Sequence, residues 1–484
     1  MTPHLIIDCG RVLSALLVMA DGQFVPCSQE IRQIATRHVS TGVLFDPRIS
    51  EDPDFAWDEV LEALGKATPR NLFQRARRVG LRRPWDPQAA ADTLLQLASP
   101  VEVLSSASAL ADRNAAAALP AVAFALLDAL LDAVFAFVAD RHIAPRDIDP
   151  VVILPAHASS ATRLVLQKLF RRRGFRRLTI VRREIAAAMA LVEDAPVDCL
   201  VLDAADDDLH LHRVTIDDRD GARVFRTASS TTIRALGWSH WSSRIAAALQ
   251  TAPSAAFERG LLALLTGSPE SLSSRVTHGA LAIVLDDAWV AARTAEVRAA
   301  LPEPLDPQRT IFAGEIFALD DVRKAFGAAN AVSVPVLDHT VRGVALALRW
   351  LSGDGARQLK IARDGTLRVD TGNGEAVELL APAQLPPIGE SCHFTAGFHF
   401  TGEAGGTAFL LNLLWGADRA PRGNATVCAL PLQLPREGGG ALRLAVTLRR
   451  SRSGRRLSGA VEARMEGDVA VARAQFAEEL EVTR

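Results

Sequence analysis

The chain has 484 residues, and at a typical domain size this length predicts about three globular units. It contains 50 arginines but only four lysines among its 54 basic residues, and no tyrosine. The formal net charge is nevertheless −2, which excludes a broadly basic nucleic-acid-binding protein.

The cysteines and the most apolar segment indicate where the protein acts. The five cysteines are scattered and form no CxxC pair, which excludes a disulfide framework and a zinc site. The first ten residues, MTPHLIIDCG, lack the basic region of a secretion signal. Residues 119–139 carry Asp128 and Asp132, which favours an amphipathic or buried helix over a membrane span. We therefore expect a cytoplasmic protein without a membrane partner.

The first 352 residues alternate short apolar runs with alanine-rich segments. The helical segments include 161–172 and 244–250. The runs suited to central strands are 4–7, 151–154, 178–181, 199–202 and 310–313. Strands that alternate with helices favour an α/β architecture, in which ligands bind where strands end.

The pattern changes near residue 353. We predict domains at 1–352 and 366–484, joined by a linker at 353–365. Beyond the linker, glycine and proline interrupt alternating runs that are typical of an all-β module. These runs are 394–400, 409–414 and 441–448. For residues 469–481 the sequence predicts one short helix at most.

Six segments, in order along the chain, resemble motifs of the seventy-kilodalton heat-shock chaperones (DnaK-type). Residues 154–163 (LPAHASSATR) are similar to the family's VPAYFNDAQR, and residues 184–189 (EIAAAM) to its EPTAAA. The other segments are 6–10, 73–80, 236–245 and 313–322. The resemblance implies an α/β actin-like ATPase fold of two lobes, followed by an all-β sandwich that binds peptides. Too little chain remains after the sandwich for the family's helical lid.

The resemblance assigns roles to five positions of this chain. Asp8, Glu184 and Asp203 stand where the family has the carboxylates that arrange magnesium and water. The alternative is that these strand-end acids cap turns and helices. Pro155 and Arg163 stand at the switch that couples nucleotide state to the β domain, or else form a rigid turn and a solvated arginine.

The phosphate-binding positions depart from the family pattern. After Gly10, Arg11 and Val12 replace two threonines. After Asp203, two alanines and three aspartates at 204–208 replace a glycine-rich loop. Methyl groups prevent the close backbone approach that phosphates need, and each carboxylate would repel a phosphate by about 4 kcal/mol at 4 Å.

Most of the remaining positions that bind the nucleotide in the family also carry different residues here. Glu258 and Gly314 are what is left of the adenosine site, and the family's catalytic lysine falls on Ala76. Because phosphoryl transfer depends on positioning and electrostatics, we expect that ATP hydrolysis is lost and that no cofactor is needed. Trp238, His240 and Trp241 replace a glycine-rich turn near the cleft and would fill it, the two tryptophans with apolar surface.

Four side chains of the β region resemble the family's peptide groove: Phe394, Phe409, Leu411 and Leu413. Alternate side chains of such strands could line an apolar slot while the backbone pairs with an extended peptide. The alternative is that they fill the core, which must hold for at least two of the four.

Two local patterns leave alternatives open. Residues 171–183 hold seven arginines. They form the solvated end of a helix followed by an edge strand, a patch for nucleic acid or an anionic surface, or a surface for a protein partner. Among these functional readings a protein partner is favoured, with a J-domain-type cochaperone as one candidate. His210 and His212 alternate with Asp208, a spacing that would also suit a metal.

The sequence thus predicts a chaperone-like pseudo-ATPase that acts as a peptide-binding or scaffold protein, with polypeptide clients or a dedicated partner. The alternative is a divergent but active ATP-dependent chaperone. In that case Arg11 would contact phosphate and the aspartates at 206–208 would recruit a metal such as Mg²⁺.

Overall fold

The structure is a computed structural model, and every structural statement below concerns the residues that it describes. These residues are 2–10, 13–26, 131, 134–158, 160–194, 196–205, 207–251, 257, 260–261, 264, 279–280, 282, 284–285, 288–300, 309–326, 338–353, 357–362, 365–370, 375–400, 408–433, 440–465 and 470–483.

The first sheet has five strands in the order β3-β2-β1-β4-β5. They are β1 (His4–Cys9), β2 (Leu13–Val18), β3 (Phe24–Pro26), β4 (Asp149–Leu154) and β5 (Thr179–Arg182). Strand β1 is antiparallel to β2 and parallel to β4, and β4 is parallel to β5. Strands β1 and β4 are buried on both faces, which their near-continuous apolar sequences allow.

The second sheet has six strands in the order β19-β10-β8-β7-β6-β9. They are β6 (Val197–Ala204), β7 (Leu209–Arg219), β8 (Ala222–Ile233), β9 (Thr310–Ala313), β10 (Gln358–Ala362) and β19 (Glu481–Thr483). Strands β6, β7 and β8 form an antiparallel meander. Asp220 and Gly221, both with positive φ, make the two-residue turn between β7 and β8, as the Asp-Gly pair favours.

The described helices are mostly short. They are α1 (Ser160–Arg172), α2 (Arg183–Ala188), α3 (Trp238–Ala248), α4 (Ala288–Ala300), α5 (Asp320–Ala325) and α6 (His339–Leu351). Helices α2 and α6 share one apolar core with strands of the first and second sheets, including Ile6, Val201 and Phe225. Gly343 permits this packing, because a Cβ there would overlap the carbonyl oxygen of Ala186.

The C-terminal β module consists of two four-stranded antiparallel sheets. One has the order β12-β11-β14-β15 and the other β13-β16-β17-β18. Their bounds are β11 (Thr366–Asp370), β12 (Ala376–Leu380), β13 (Ser391–Phe400), β14 (Ala408–Gly416), β15 (Ala425–Gln433), β16 (Gly440–Arg450), β17 (Arg456–Met465) and β18 (Ala470–Glu479). Both sheets contribute to a single core that includes Leu367, Leu444 and Val446.

The prediction of an actin-like, two-lobed α/β ATPase fold followed by a β-sandwich is wrong. The described residues form nineteen strands in four sheets with few helices, a mixed fold dominated by β-structure. The prediction failed because it counted only short apolar runs and missed the hairpin of β7 and β8. In that hairpin polar and apolar residues alternate, as they do in antiparallel strands with one solvated face.

Several individual elements are nevertheless confirmed. The runs 151–154 and 199–202 lie inside β4 and β6, and 310–313 coincides with β9. The short helix predicted at 469–481 is wrong, because residues 470–479 form strand β18. Within the predicted linker, residues 358–362 form β10, which pairs with β8 and with the C-terminal strand β19.

No helix in the described part of the chain is long and apolar enough to cross a membrane. Of the segment 119–139, residues 131 and 134–139 fall among the described residues, and they are helical.

Candidate functional site

The structure brings two of the predicted carboxylates together around one arginine. Asp8 lies near the end of β1 and Asp203 near the end of β6, while Arg183 opens α2. The Arg183 guanidinium lies 3.2 Å from Asp8 Oδ1 and 3.4 Å from Asp203 Oδ1. The Thr340 hydroxyl of α6 donates to Asp8 Oδ2 at 2.6 Å. We call Asp8, Arg183 and Asp203 the Arg183 cluster.

The third predicted carboxylate, Glu184, is fully buried beside the cluster and has its own cation. Its Oε1 lies 2.9 Å from Arg182 Nε and accepts a hydrogen bond from the Thr227 hydroxyl at 3.0 Å. Arg182 also donates to Thr227 at 2.8 Å. Glu184 Oε2 is buried and accepts no hydrogen bond from a described residue. Each carboxylate of the predicted catalytic set therefore faces an arginine.

The burial of the Arg183 cluster decides what it can do. Arg183 is 4% exposed and Asp203 is 1% exposed. A bound metal would have to enter between the two carboxylates, which is where the guanidinium lies. In the described part of the chain, no group of three or more histidine, cysteine, aspartate or glutamate residues is placed to hold a metal ion. The geometry fits a structural ion-pair network, because burying carboxylates requires such counter-charges.

The aspartate-rich loop after β6 is held by protein contacts. The Ala205 N–H donates to the Asp208 carbonyl, and the Gly237 N–H donates to the Asp207 carbonyl. The side chains of Asp207 and Asp208 also accept hydrogen bonds. Asp207 Oδ1 accepts from the Ser239 hydroxyl at 2.9 Å, and Asp208 Oδ1 accepts from the Ala235 N–H at 3.1 Å. These two aspartates therefore secure the start of α3.

The retained glycine of the predicted adenosine site, Gly314, also has a packing role. Its φ is 99°, which favours glycine, and a Cβ there would overlap the Ala204 carbonyl oxygen. Gly10 is buried in a bend directly after β1. The predictions for Arg11, Glu258 and Ala76 fall on residues outside the described part of the chain.

Two tryptophans of α3 are buried in the core next to this loop. Trp238 and Trp241 are each 1% exposed and belong to the core formed by β6, β7, β9 and α3. Trp241 Nε1 donates to the Leu236 carbonyl at 3.2 Å. That the two tryptophans fill a nucleotide cleft stays a prediction, since the structure shows only that both indoles are buried in this core.

Of the two predicted switch residues, Arg163 lies where the C-terminal β module meets the rest of the chain. Pro155 is buried directly after β4. Arg163 of α1 pairs with Glu478 of β18 at 2.5 Å, and this carboxylate is almost completely buried. Arg163 also donates to the Ala158 carbonyl at 3.2 Å. The solvated-arginine alternative does not describe Arg163, because its guanidinium joins two regions of the chain.

A second buried polar link joins the same regions through the histidines of β7. His210 Nδ1 lies 2.9 Å from the Thr232 hydroxyl, which donates to Asp418 Oδ2 at 2.7 Å. His212 Nδ1 lies 2.8 Å from the Ser230 hydroxyl, and its buried Nε2 has no hydrogen-bond partner among the described residues. The histidine pair is thus engaged with hydroxyls, and the metal alternative gains no support.

Burial keeps several of these histidines neutral. Burial, and then the neighbouring His210, lowers the pKa of His212 from 6.5 to about 3. Burial, and then the nearby His157, also lowers the pKa of His210. His339, at the start of α6, has its pKa lowered by burial to about 4. Burial acts in the opposite direction on Asp418 and raises the pKa of that carboxyl.

We therefore expect the free energy of unfolding to fall as the pH falls from 6.5 toward about 4. A histidine whose folded-state pKa is lowered binds its proton in the unfolded chain first, so its stabilising contribution is complete above 6.5 and is lost in acid. At a pH of about 5, the lowered pKa of His212 and that of His339 should each reduce the free energy of unfolding by about 2 kcal/mol relative to its value above 6.5. Urea unfolding at several pH values measures this.

The matched control for this pH dependence is an exposed histidine. His212→Gln should flatten the curve between these pH values, whereas His393→Gln, on the exposed face of β13, should leave it unchanged. The protonation of Asp418 acts with the opposite sign, so Asp418→Asn should steepen the acid loss. Equal curves for wild type and His212→Gln would contradict the assignment.

The four predicted peptide-binding side chains separate into two groups. Leu411 and Leu413 are buried in the core of the β module, as the core alternative predicted for at least two of the four. Phe394 is half-buried on β13 and packs against the same core. Phe409 belongs to β14, and its side chain lies outside the described part of the structure.

The described cysteines do not form a nucleophilic site. Burial raises the pKa of the Cys9 thiol far above its ordinary value, and the adjacent Asp8 carboxylate raises it further. Burial also raises the pKa of Cys199 and of Cys428 to about 12. Thiols with such pKa values stay protonated near neutral pH and are poor nucleophiles.

Comparison of the chain with models of known protein families found no match. Comparison with curated proteins likewise found no match.

Proposed function

We propose that the protein acts by binding extended polypeptide segments, as a chaperone-like binding or scaffold protein, and that it does not turn over nucleotide. The observation that carries this proposal is strand β13 (Ser391–Phe400). It forms one end of its sheet and pairs with β16 along its whole length of ten residues. No other described strand pairs with its second edge.

An edge strand offers half of its backbone N–H and C=O groups to another strand. Proteins usually prevent such pairing with short edge strands, charged residues, proline or a bulge. The sequence of β13, SCHFTAGFHF, contains neither proline nor Lys, Arg, Asp or Glu, and its register with β16 has no irregularity. An unprotected edge of this length fits a site for strand addition.

The other described sheet edges are protected in these ways. Strands β3, β5, β9 and β19 have three or four residues each. Strand β12 is short and carries Glu378. Strand β15 contains Pro431, and β18 carries Arg473 and two glutamates. Strand β13 therefore stands apart among the described edges.

The two faces of β13 would give a bound strand both room and apolar contact. Thr395 and Gly397 are exposed, and a Cβ added at Gly397 would meet no atom within 4 Å. On the opposite face Phe394 and Phe398 are half-buried and pack against the core of the β module. An added strand with alternating apolar side chains would cover their remaining exposed surface, which favours binding.

The absence of nucleotide turnover is supported by the Arg183 cluster. A nucleotide–magnesium complex would need the carboxylates of Asp8 and Asp203, which face the guanidinium of Arg183. Calorimetry with ATP and Mg²⁺ should therefore give no binding heat and no released phosphate. Micromolar binding with phosphate release would favour the ATP-dependent alternative.

The described cysteines are free thiols, which fits a reducing compartment such as the cytoplasm.

The peptide-binding proposal is tested by a charge on the free edge. A fluorescently labelled peptide as long as β13, alternating leucine and serine, should bind the wild-type chain. Gly397→Lys should weaken this binding about tenfold or more, because a lysine on an edge strand opposes strand addition. The position has open space, so the variant should retain its unfolding midpoint.

The matched control is Gln475→Lys, which places the same charge at an exposed position of β18 in the same sheet. It should change peptide affinity less than about twofold. Equal weakening by both variants, or no peptide binding by wild type, would overturn the proposal. If the chain instead pairs with a second copy through β13, sedimentation would show a dimer that Gly397→Lys dissociates, and the peptide proposal would fail.

A further inference from the structure

A cleft of about 760 Å³ opens beside α1, far along the chain from β13, and its wall is rich in arginine. Arg171, Arg176 and Arg177 line it, together with Asp149 and the partly buried Thr179. Four apolar side chains also line it: Phe170, Phe175, Leu348 and Leu351. We call this the arginine cleft.

The end of α1 sets the arrangement of these arginines. Gly174 has φ 88°, and its N–H donates to the Arg171 carbonyl, while the Phe175 N–H donates to the Phe170 carbonyl. This is the glycine-terminated helix end expected when a chain leaves a helix sharply. The Phe175 ring packs 5.2 Å from that of Phe170, which anchors the turn. Arg176 and Arg177 follow directly and are exposed.

The charges of the arginine cleft are not balanced within the described part of the protein. Arg171, Arg176 and Arg177 are exposed, and their guanidinium groups form no ion pair or hydrogen bond with a described residue. Other arginines of the same run behave differently, since Arg183 is buried and Arg182 partly buried, each in an ion pair. Against three cationic side chains the cleft wall offers one carboxylate, Asp149. The cleft thus carries an excess of positive charge.

We propose that the arginine cleft binds an acidic, extended segment of a partner polypeptide. Guanidinium groups recognise carboxylates with paired hydrogen bonds, so three arginines suit a run of glutamate or aspartate side chains. A small-molecule site would bury most of its ligand, whereas these three arginines are exposed. Nucleic acid is disfavoured because the chain as a whole has a net charge of −2. This site is separate from β13.

The test uses the full chain and a labelled peptide that alternates glutamate and serine, with a glutamine–serine peptide as the neutral control. The acidic peptide should bind wild type, and its affinity should fall as the ionic strength rises toward about 0.5 M. Combined Arg176→Glu and Arg177→Glu should weaken binding about tenfold or more. The matched control is Arg452→Glu with Arg456→Glu, two exposed arginines in and beside the turn between β16 and β17.

The control pair changes the net charge of the chain equally and should alter affinity less than about twofold. Equal loss in the two double variants, or equal binding of the neutral peptide, would overturn the proposal. Tighter binding of a single-stranded oligonucleotide than of the acidic peptide would overturn it as well. Gly397→Lys should leave this binding unchanged, so failure of the arginine cleft and failure of the β13 proposal are distinguishable.

Discussion

Replacing Arg183 with alanine should lower the free energy of unfolding by about 3–5 kcal/mol, because it leaves the buried carboxylates of Asp8 and Asp203 without their shared cation. Urea unfolding monitored by circular dichroism measures the loss. Arg183→Lys should give an intermediate loss, since one ammonium cannot donate to both carboxylates with the geometry of a guanidinium. If Arg183→Ala does not fold, the unfolding of Arg183→Lys still tests the prediction.

The matched control for this prediction is an exposed ion pair. Arg213 and Asp198 lie 2.6 Å apart, with side chains that are 53% and 46% exposed. Arg213→Ala should therefore cost less than about 1 kcal/mol. Excess Mg²⁺ should raise the unfolding midpoint of Arg183→Ala but not that of wild type, because the variant frees two carboxylates for a cation. A loss below about 1 kcal/mol for Arg183→Ala would contradict the assignment of Arg183 as the counter-ion.

Truncating Trp241 to alanine should cost about 3–5 kcal/mol. The side chain is 1% exposed and packs in the core that supports α3. Its removal should also loosen the loop at 204–208, because Gly237 and Trp238 at the start of α3 hold that loop through their backbone N–H groups. Chemical denaturation measures the stability, and amide exchange of residues 205 and 237 measures the local loosening.

Trp241→Phe is the control that keeps most of the apolar volume. It removes the indole hydrogen bond to the Leu236 carbonyl and should cost about 1–3 kcal/mol. If alanine and phenylalanine had the same effect, the cavity left by the indole would not be the cause. If neither variant changed the stability, the assignment of Trp241 to the core would be wrong.

Local features could be predicted from the sequence where a single residue type or a single pattern of apolar residues determines the structure. Short apolar runs located β4, β6 and β9, and the Asp-Gly pair would have located the hairpin of β7 and β8. For residues 469–481 the sequence predicts one short helix at most, yet residues 470–479 form strand β18. Pairing with distant β17 overrides that local preference.

The Arg183 cluster shows why the candidate site could be predicted only in part. The sequence predicts Asp8, Glu184 and Asp203 as a set, but it places Arg182 and Arg183 in the arginine run 171–183, interpreted there as a solvated helix end or a partner surface. Whether an arginine is buried depends on which strand ends meet it, and β1 and β6 lie far apart in sequence. The signal that could have identified Arg182 and Arg183 was their position immediately before Glu184, where β5 passes into α2.

Hydrogen–deuterium exchange of the full chain with the leucine–serine peptide tests the central claim most directly. Binding by strand addition predicts that peptide slows amide exchange within β13 (Ser391–Phe400), at the amides that do not pair with β16. Strand β18, at the opposite edge of the same sheet, should show no change. Unchanged exchange in β13 when the peptide is bound, or protection confined to another part of the chain, would contradict the claim that this protein binds polypeptide through its free edge strand.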